Sequence, residues 1–227
     1  YFSDLVLGPL RTRVPFSGER MNHENLLSTK EAMSRRRSIR KFKPDPVPEE
    51  CVAALLESAR LAPSGCNAQP WRFKVVRDPD KRLLLAQAAH NQMFIAEAPV
   101  VIVCCADVQG YLDGSVSGIQ DLGKIGAVED QVVKVLVKNI GQLRTYSVEQ
   151  LGARIAANVA IAIEHMVLRA LDFGLGTCWI RFLDAERIKQ MFGWGEKIFV
   201  VALLPVGYPA EAPAPRKRLP MESLLID

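Results

Sequence analysis

"SVEQLGARIAANVAIAIEHMVLRALDF", residues 147–173, is the longest helical pattern in the chain. Ile155, Val159, Ile163, Met166 and Ala170 recur at helical spacing and keep one face apolar. Ala156, Ala160, Ala162 and Leu168 make most of the remaining surface apolar as well. A helix that is apolar nearly all round must be covered on nearly all sides, by its own core or by a partner. The fold therefore has to be built around this helix.

Working outward, "GLGTCWI" (174–180) is a glycine stop followed by a strand, "DAERIKQMF" (184–192) a short capped helix, and "KIFVVALLPVGY" (197–208) a buried strand. Upstream, "APVVIVCCAD" (98–107) is a continuous apolar run, expected as a strand buried on both faces. "WRFKVVRD" (71–78) alternates Trp71, Phe73 and Val75 and predicts another strand. "PDKRLLLAQAAHN" (79–91) is a helix opened by Pro79. "PDPVPEECVAALLESARLAP" (44–63) predicts a helix starting at Pro48, with Glu49 and Glu50 in its first turn and Pro63 just past its end. "MNHENLLSTKEAMSRR" (21–36) predicts a helix ending near Arg36. Gly110, Gly114, Gly118, Gly123 and Gly126 crowd residues 107–127, expected as a mobile lid or excursion. The order gives an α+β layer architecture: about four strands, mostly antiparallel, with helices on both faces. No repeat or interior linker interrupts residues 21–227, expected as one domain. Residues 1–20, which precede Met21, are expected as an N-terminal extension or a cloning remnant.

The composition excludes several functions. A net charge of +4, from 29 basic and 25 acidic residues, is too small to argue for nucleic acid. Five cysteines without paired spacing form neither a disulfide framework nor a zinc site, which points to reduced thiols and a cytoplasmic protein. Three scattered histidines offer no metal set. The longest uninterrupted apolar stretch, "APVVIVCCA", falls well short of the roughly 20 residues a membrane span requires.

Charge matters only where it clusters. "SRRRSIRKF" (34–42) carries Arg35, Arg36, Arg37, Arg40 and Lys41. Such a run can be a nuclear address, a nucleic-acid grip, a solvated helix end or a phosphate pocket. It is broken by Ser38 and Ile39, has no interleaved aromatic platforms, and has a second basic group, Arg216 to Arg218, at the far end of the chain. A bound phosphate suits this pattern, because arginine forks pair bidentately with phosphate and a serine hydroxyl adds a donor. One helix later, "APSGCNAQPWRF" (62–73) presents Ser64, Asn67 and Gln69 on a helix-to-strand loop, suited to reading the polar edge of a heterocycle. A plain hydrophilic turn has the same composition.

"RRSIRKF", "APSGCNAQPW", "IAEAPVVIVCC", "GLGTCWI" and "VALLPVGYP…RKRLP" occur in family order over most of residues 26–220, and together they resemble the nitroreductase family of FMN-dependent oxidoreductases. The resemblance implies the nitroreductase-like α+β fold, an intertwined homodimer with the long helix at the subunit interface, and an extended tail embracing the partner. FMN would be the cofactor, NADH or NADPH the co-substrate, and a nitroaromatic, quinone or similar small molecule the acceptor in a ping-pong cycle. Arg36, Arg37 and Ser38, with Arg216 and Arg218, would hold the flavin phosphate and ribityl chain. Arg40 would reach the isoalloxazine N1 and C2 carbonyl. Pro63, Ser64 and Asn67 would come from the other subunit. Asn91, with Gln92 as competitor, would bond the ring edge. Trp179, Ile180 and Arg181 would run along the flavin and offer an amide to N5, which makes Arg40 and Arg181 the candidate catalytic residues. Many members carry a small residue where Arg181 stands. The alternatives are a specialised FMN enzyme of the same fold, such as a reductive dehalogenase or a flavin-modifying enzyme, and a flavin-free anion-binding protein.

Overall fold

The structure, a computed structural model, describes residues 26–226. The expected extension over residues 1–20 lies outside the described residues. Helix α1 (Thr29–Arg35) opens on a capping box in which Ser28 and Glu31 satisfy each other's backbone amides. Then follow α2 (Glu49–Arg60), a 3-10 turn (Gly65–Asn67), β1 (Trp71–Val76), α3 (Pro79–Ala88), the single turn α4 (Phe94–Glu97) and β2 (Val100–Asp107). Helices α5 (Val108–Lys124), α6 (Asp130–Leu143) and α7 (Val148–Ala170) come next. Strand β3 (Gly176–Thr177), α8 (Ala185–Phe192) and β4 (Ile198–Gly207) complete the body, and an extended tail follows.

The four strands form one antiparallel sheet in the order β1-β2-β4-β3. β2 is central and buried on both sides, as its unbroken apolar run requires. Val100, Ile102, Cys104 and Ala106 face a core shared with α2 and α7. Val101, Val103 and Cys105 face a second core shared with α3 and α8. A bulge opposite Cys104 and Cys105 leaves Val201 of β4 without an opposite residue in β2. Val201 and Ala202 consequently both lie in the α7 core.

Helix α7 begins at the expected Ser147, whose hydroxyl accepts from the Gln150 amide. Leu151, Ile155, Val159, Ile163 and Met166 are buried. By length and composition, Val148–Phe173 is apolar enough to cross a membrane. Its buried face is instead the floor of the larger core.

Two expectations are corrected. The strand expected at "GLGTCWI" is two residues long, with one further bridge between Ile180 and Leu203. Pro205 explains the break: Cys178 donates to its carbonyl at 3.4 Å, but proline has no amide to return the bond. The glycine-rich stretch expected as a mobile lid or excursion is the regular helix α5, capped by Asp107. It leads into α6, which contains no buried residue. Glycine lowers intrinsic helix propensity, but Gly110, Gly114 and Gly118 stand one per turn on one face, and close packing compensates for the loss.

Candidate functional site

Past Arg36 the chain leaves the helix and runs extended beside β3 and the end of β4. Ser38 bridges Thr177, and the Ile39 amide donates to the Thr177 carbonyl at 2.9 Å. The Lys43 amide donates to Tyr208 and the Ala210 amide to Lys41. Ile39 and Phe42 are buried against Ala98. The interruption in the basic cluster is thus an anchor: Ile39 points in, while Arg40 and Lys41 remain exposed and Arg36, Arg37 and Ser38 are half-buried.

A cavity of about 370 Å³ opens here, lined by Arg35, Arg36 and Arg37, by Gly174 to Thr177, and by Pro209 and Glu211 to Pro213. Two motifs far apart in the chain share its wall. Arg37 curls back to donate to the Ser34 and Arg36 carbonyls, both at 2.8 Å. Arg36 lies close enough to Glu164 to oppose the upward push of burial on that carboxyl, as does His165. Burial likewise raises the Cys178 thiol; the Arg40 charge and a hydrogen bond with Ser38 act against it, and Glu211 reinforces it. Ser38, Arg40 and Cys178 therefore occupy one neighbourhood. Sequence reasoning missed Glu211, whose carboxylate accepts the Arg40 and Lys41 amides at 2.5 and 3.1 Å. A glutamate in a proline-rich tail gives no sequence sign that its partners are backbone groups on the far side of the chain.

The segment after β3 is fixed at several points. Ile180 exchanges both backbone bonds with Leu203 at 2.9 Å, so its amide is already engaged. The amides of Trp179 and Arg181 have no partner among the described residues. The indole nitrogen of Trp179 is buried and likewise unpartnered. Phe182 stacks on His90 with ring centroids 3.8 Å apart. The Gln92 side chain donates to the Phe182 carbonyl at 3.2 Å and to Ala89 at 2.9 Å. His90 and Asn91 adopt left-handed backbone, with φ of 56° and 59°. Asn91 thus sits in a strained turn tied to the Arg181 segment.

The "PSGCN" turn is elsewhere in the chain. Pro63, Ser64 and Asn67 do not line the Arg36 cavity. Cys66, Asn67 and Gln69 all have positive φ. The Ser64 hydroxyl accepts the Gln69 amide at 2.9 Å, and the Gly65 amide donates to Asn158 of α7 at 2.9 Å. Helix α5 presses on this turn through its glycines. A Cβ at Gly118 would lie 1.7 Å from the Cys66 carbonyl oxygen, and one at Gly114 would lie 2.7 Å from that of Ala68. The feature expected as a mobile lid or excursion therefore buttresses the turn that carries Asn67.

Arg216 and Arg218 lie on the exposed tail beyond the cavity, and among the described residues the Arg218 guanidinium donates only to the Arg216 carbonyl. Within one chain, the structure gathers Arg36, Arg37, Ser38, Arg40, Trp179, Ile180 and Arg181 around the start and exit of β3, with Asn91 tied to the same segment. Pro63, Ser64, Asn67, Arg216 and Arg218 remain outside that group.

Comparison with known proteins agrees with this fold. A protein of Thermus thermophilus named NADH dehydrogenase is 35% identical over 205 residues, covering 88% of this chain and 96% of its own. FMN reductase [NAD(P)H] of Bacillus subtilis is 27% identical, over 83% of this chain and 68% of its own. The crystal structure of an Exiguobacterium sibiricum protein in complex with FMN matches with a TM-score of 0.71 and 26% identity, covering 88% of this chain and 97% of that one. The family described as the nitroreductase family matches residues 33–208, from the end of α1 to the end of β4. Carrying that match over most of its length, on the α+β fold its neighbours share, the chain belongs to the nitroreductase family.

Proposed function

We propose that the protein is an FMN-dependent NAD(P)H oxidoreductase that works as a homodimer. The observation that carries this reading is the meeting of "RRSIRKF" and "GLGTCWI" at the Ser38–Thr177 bridge, beside a cavity edged by Arg36 and Arg37. The unpartnered amides of Trp179 and Arg181 and the buried, unbonded indole nitrogen of Trp179 fit a site that receives a polar heterocycle. The FMN complex of the Exiguobacterium relative and the name of the Bacillus relative support the choice of cofactor.

When bound, FMN supplies a two-electron carrier, accepting hydride from NADH or NADPH and passing reducing equivalents to a nitroaromatic, quinone or similar small acceptor in a ping-pong cycle. Arg36, Arg37 and Ser38 hold the phosphate end, joined by Arg216 and Arg218 of the tail. Arg40 brings positive charge to the pyrimidine edge of the ring and stabilises negative charge developing there. The Arg181 amide serves as donor at the ring's central edge, because the Ile180 amide is already paired with Leu203. Asn91 bonds the outer edge. A second chain contributes the turn with Pro63, Ser64 and Asn67, which α5 of that same chain holds in shape.

Absorbance and turnover of the purified protein test the reading. The expected result is a yellow protein, or a colourless one that takes up FMN, that oxidises NADH or NADPH when a nitroaromatic or quinone is present. A colourless protein that cannot be loaded with FMN contradicts it.

A further inference from the structure

Arg181 combines a fixed mount with a free head. Its backbone is pinned on both sides. Ile180 exchanges two backbone hydrogen bonds with Leu203, the Phe182 ring stacks on His90, the Phe182 carbonyl accepts from Gln92, and the Asp184 amide donates to Ala88 at 2.7 Å. Its guanidinium is exposed and has no carboxylate or hydrogen-bond partner among the described residues. By contrast, Arg37 is curled onto carbonyls, and Arg72 and Arg77 are paired with Asp107 and Glu49. A solvated arginine on a mobile loop needs no explanation. One held at a fixed point beside unpartnered amides is an unused anion receptor, because a guanidinium matches carboxylate and phosphate oxygens bidentately.

We propose that Arg181 is a specificity-determining residue that selects reactants bearing an anionic group next to the reacting face. This rests on the oxidoreductase reading above, since it takes the Arg181 segment to border the bound flavin. Two reactants can supply such an anion: a flat aromatic acceptor carrying a carboxylate, or NADPH through its 2′-phosphate.

The test is calorimetric binding to the FMN-loaded protein without turnover, with visible absorbance of the same sample measuring the loading. The acceptor arm compares benzoate with benzamide, and the reductant arm compares 2′,5′-ADP with 5′-AMP. In at least one arm the anionic member should bind about fivefold tighter than its neutral or less charged partner, the scale of an exposed ion pair. That preference should vanish in Arg181→Gln and return in Arg181→Lys. Loss confined to the first arm assigns the anion to the acceptor; loss confined to the second assigns it to the reductant. Loaded protein with no preference in either arm, or with a preference that Arg181→Gln leaves intact, overturns the inference alone. Protein that takes up no FMN overturns the oxidoreductase reading, and this inference with it.

Discussion

Arg40 and Gly118 show how single residues carry the account. Arg40 is exposed, and its amide is fixed by Glu211. Its substitution therefore removes charge without disturbing the core. Arg40→Ala should retain the fold but lower the midpoint potential of bound flavin by on the order of 30–60 mV, the two-electron equivalent of one charge-assisted hydrogen bond. Spectroelectrochemical titration measures it, and an unchanged potential removes Arg40 from its proposed role. Gly118 has no room for a side chain, because the neighbouring atom is a carbonyl oxygen of the backbone. Gly118→Ala should destabilise by about 1–3 kcal/mol through overpacking, although alanine favours the helix. Denaturant unfolding measures this, and a more stable variant would show that α5 is not seated on the turn. At this scale the sequence revealed residue types better than roles. Arg36, Arg37 and Ser38 stood out as an anion group, and Arg36 and Arg37 do edge a cavity, whereas Glu211 carried no local signal.

Elements were legible where their ends carry strong local chemistry. Pro48, Asp78 with Pro79, Ser147 and Asp184 mark helix starts that sequence and structure place within a residue or two. The unbroken apolar run of β2 predicted its position between two layers. Helix α5 was not legible, because a glycine at every fourth position from Gly110 to Gly118 reads as a breaker until the surface it meets is known. Helix α7 carries the larger core, so the cost of cutting into it is predictable. Ile163 is fully buried, and Ile163→Ala should cost about 2–5 kcal/mol. Ile161, on the same helix, is 41% exposed within the single chain. Equilibrium unfolding of Ile163→Ala checks the first figure, and a loss below about 1 kcal/mol would contradict the core assignment.

For the whole molecule, the two-layer core has a consequence at high pH. Burial pushes the Cys105 thiol up to about 12, and the adjacent Cys104 thiol is likewise raised well above its ordinary value by burial and by Cys105. In the unfolded chain these thiols ionise near an ordinary value of about 8.5. Above that value the unfolded state sheds protons that the folded state retains, so stability is fully present below it and declines as pH rises toward about 12. Cys105→Ala should flatten the decline in stability measured by denaturant titration across that range; an identical slope would show that the thiol is not the cause. The tail is the other whole-molecule feature. Leu219, Leu225 and Ile226 are exposed on it beside Arg216 and Arg218. Such a segment suits a second chain, where its apolar residues gain cover and its arginines gain an anion. The central claim is that Arg36 and the distant tail arginines hold one FMN phosphate. Fluorescence titration of flavin-free protein with FMN tests it most directly. The account predicts one FMN per chain and a loss of affinity of about tenfold or more in both Arg36→Ala and Arg216→Ala, largest at low salt. No FMN binding by the unaltered protein, or equal affinity in both variants, would contradict it.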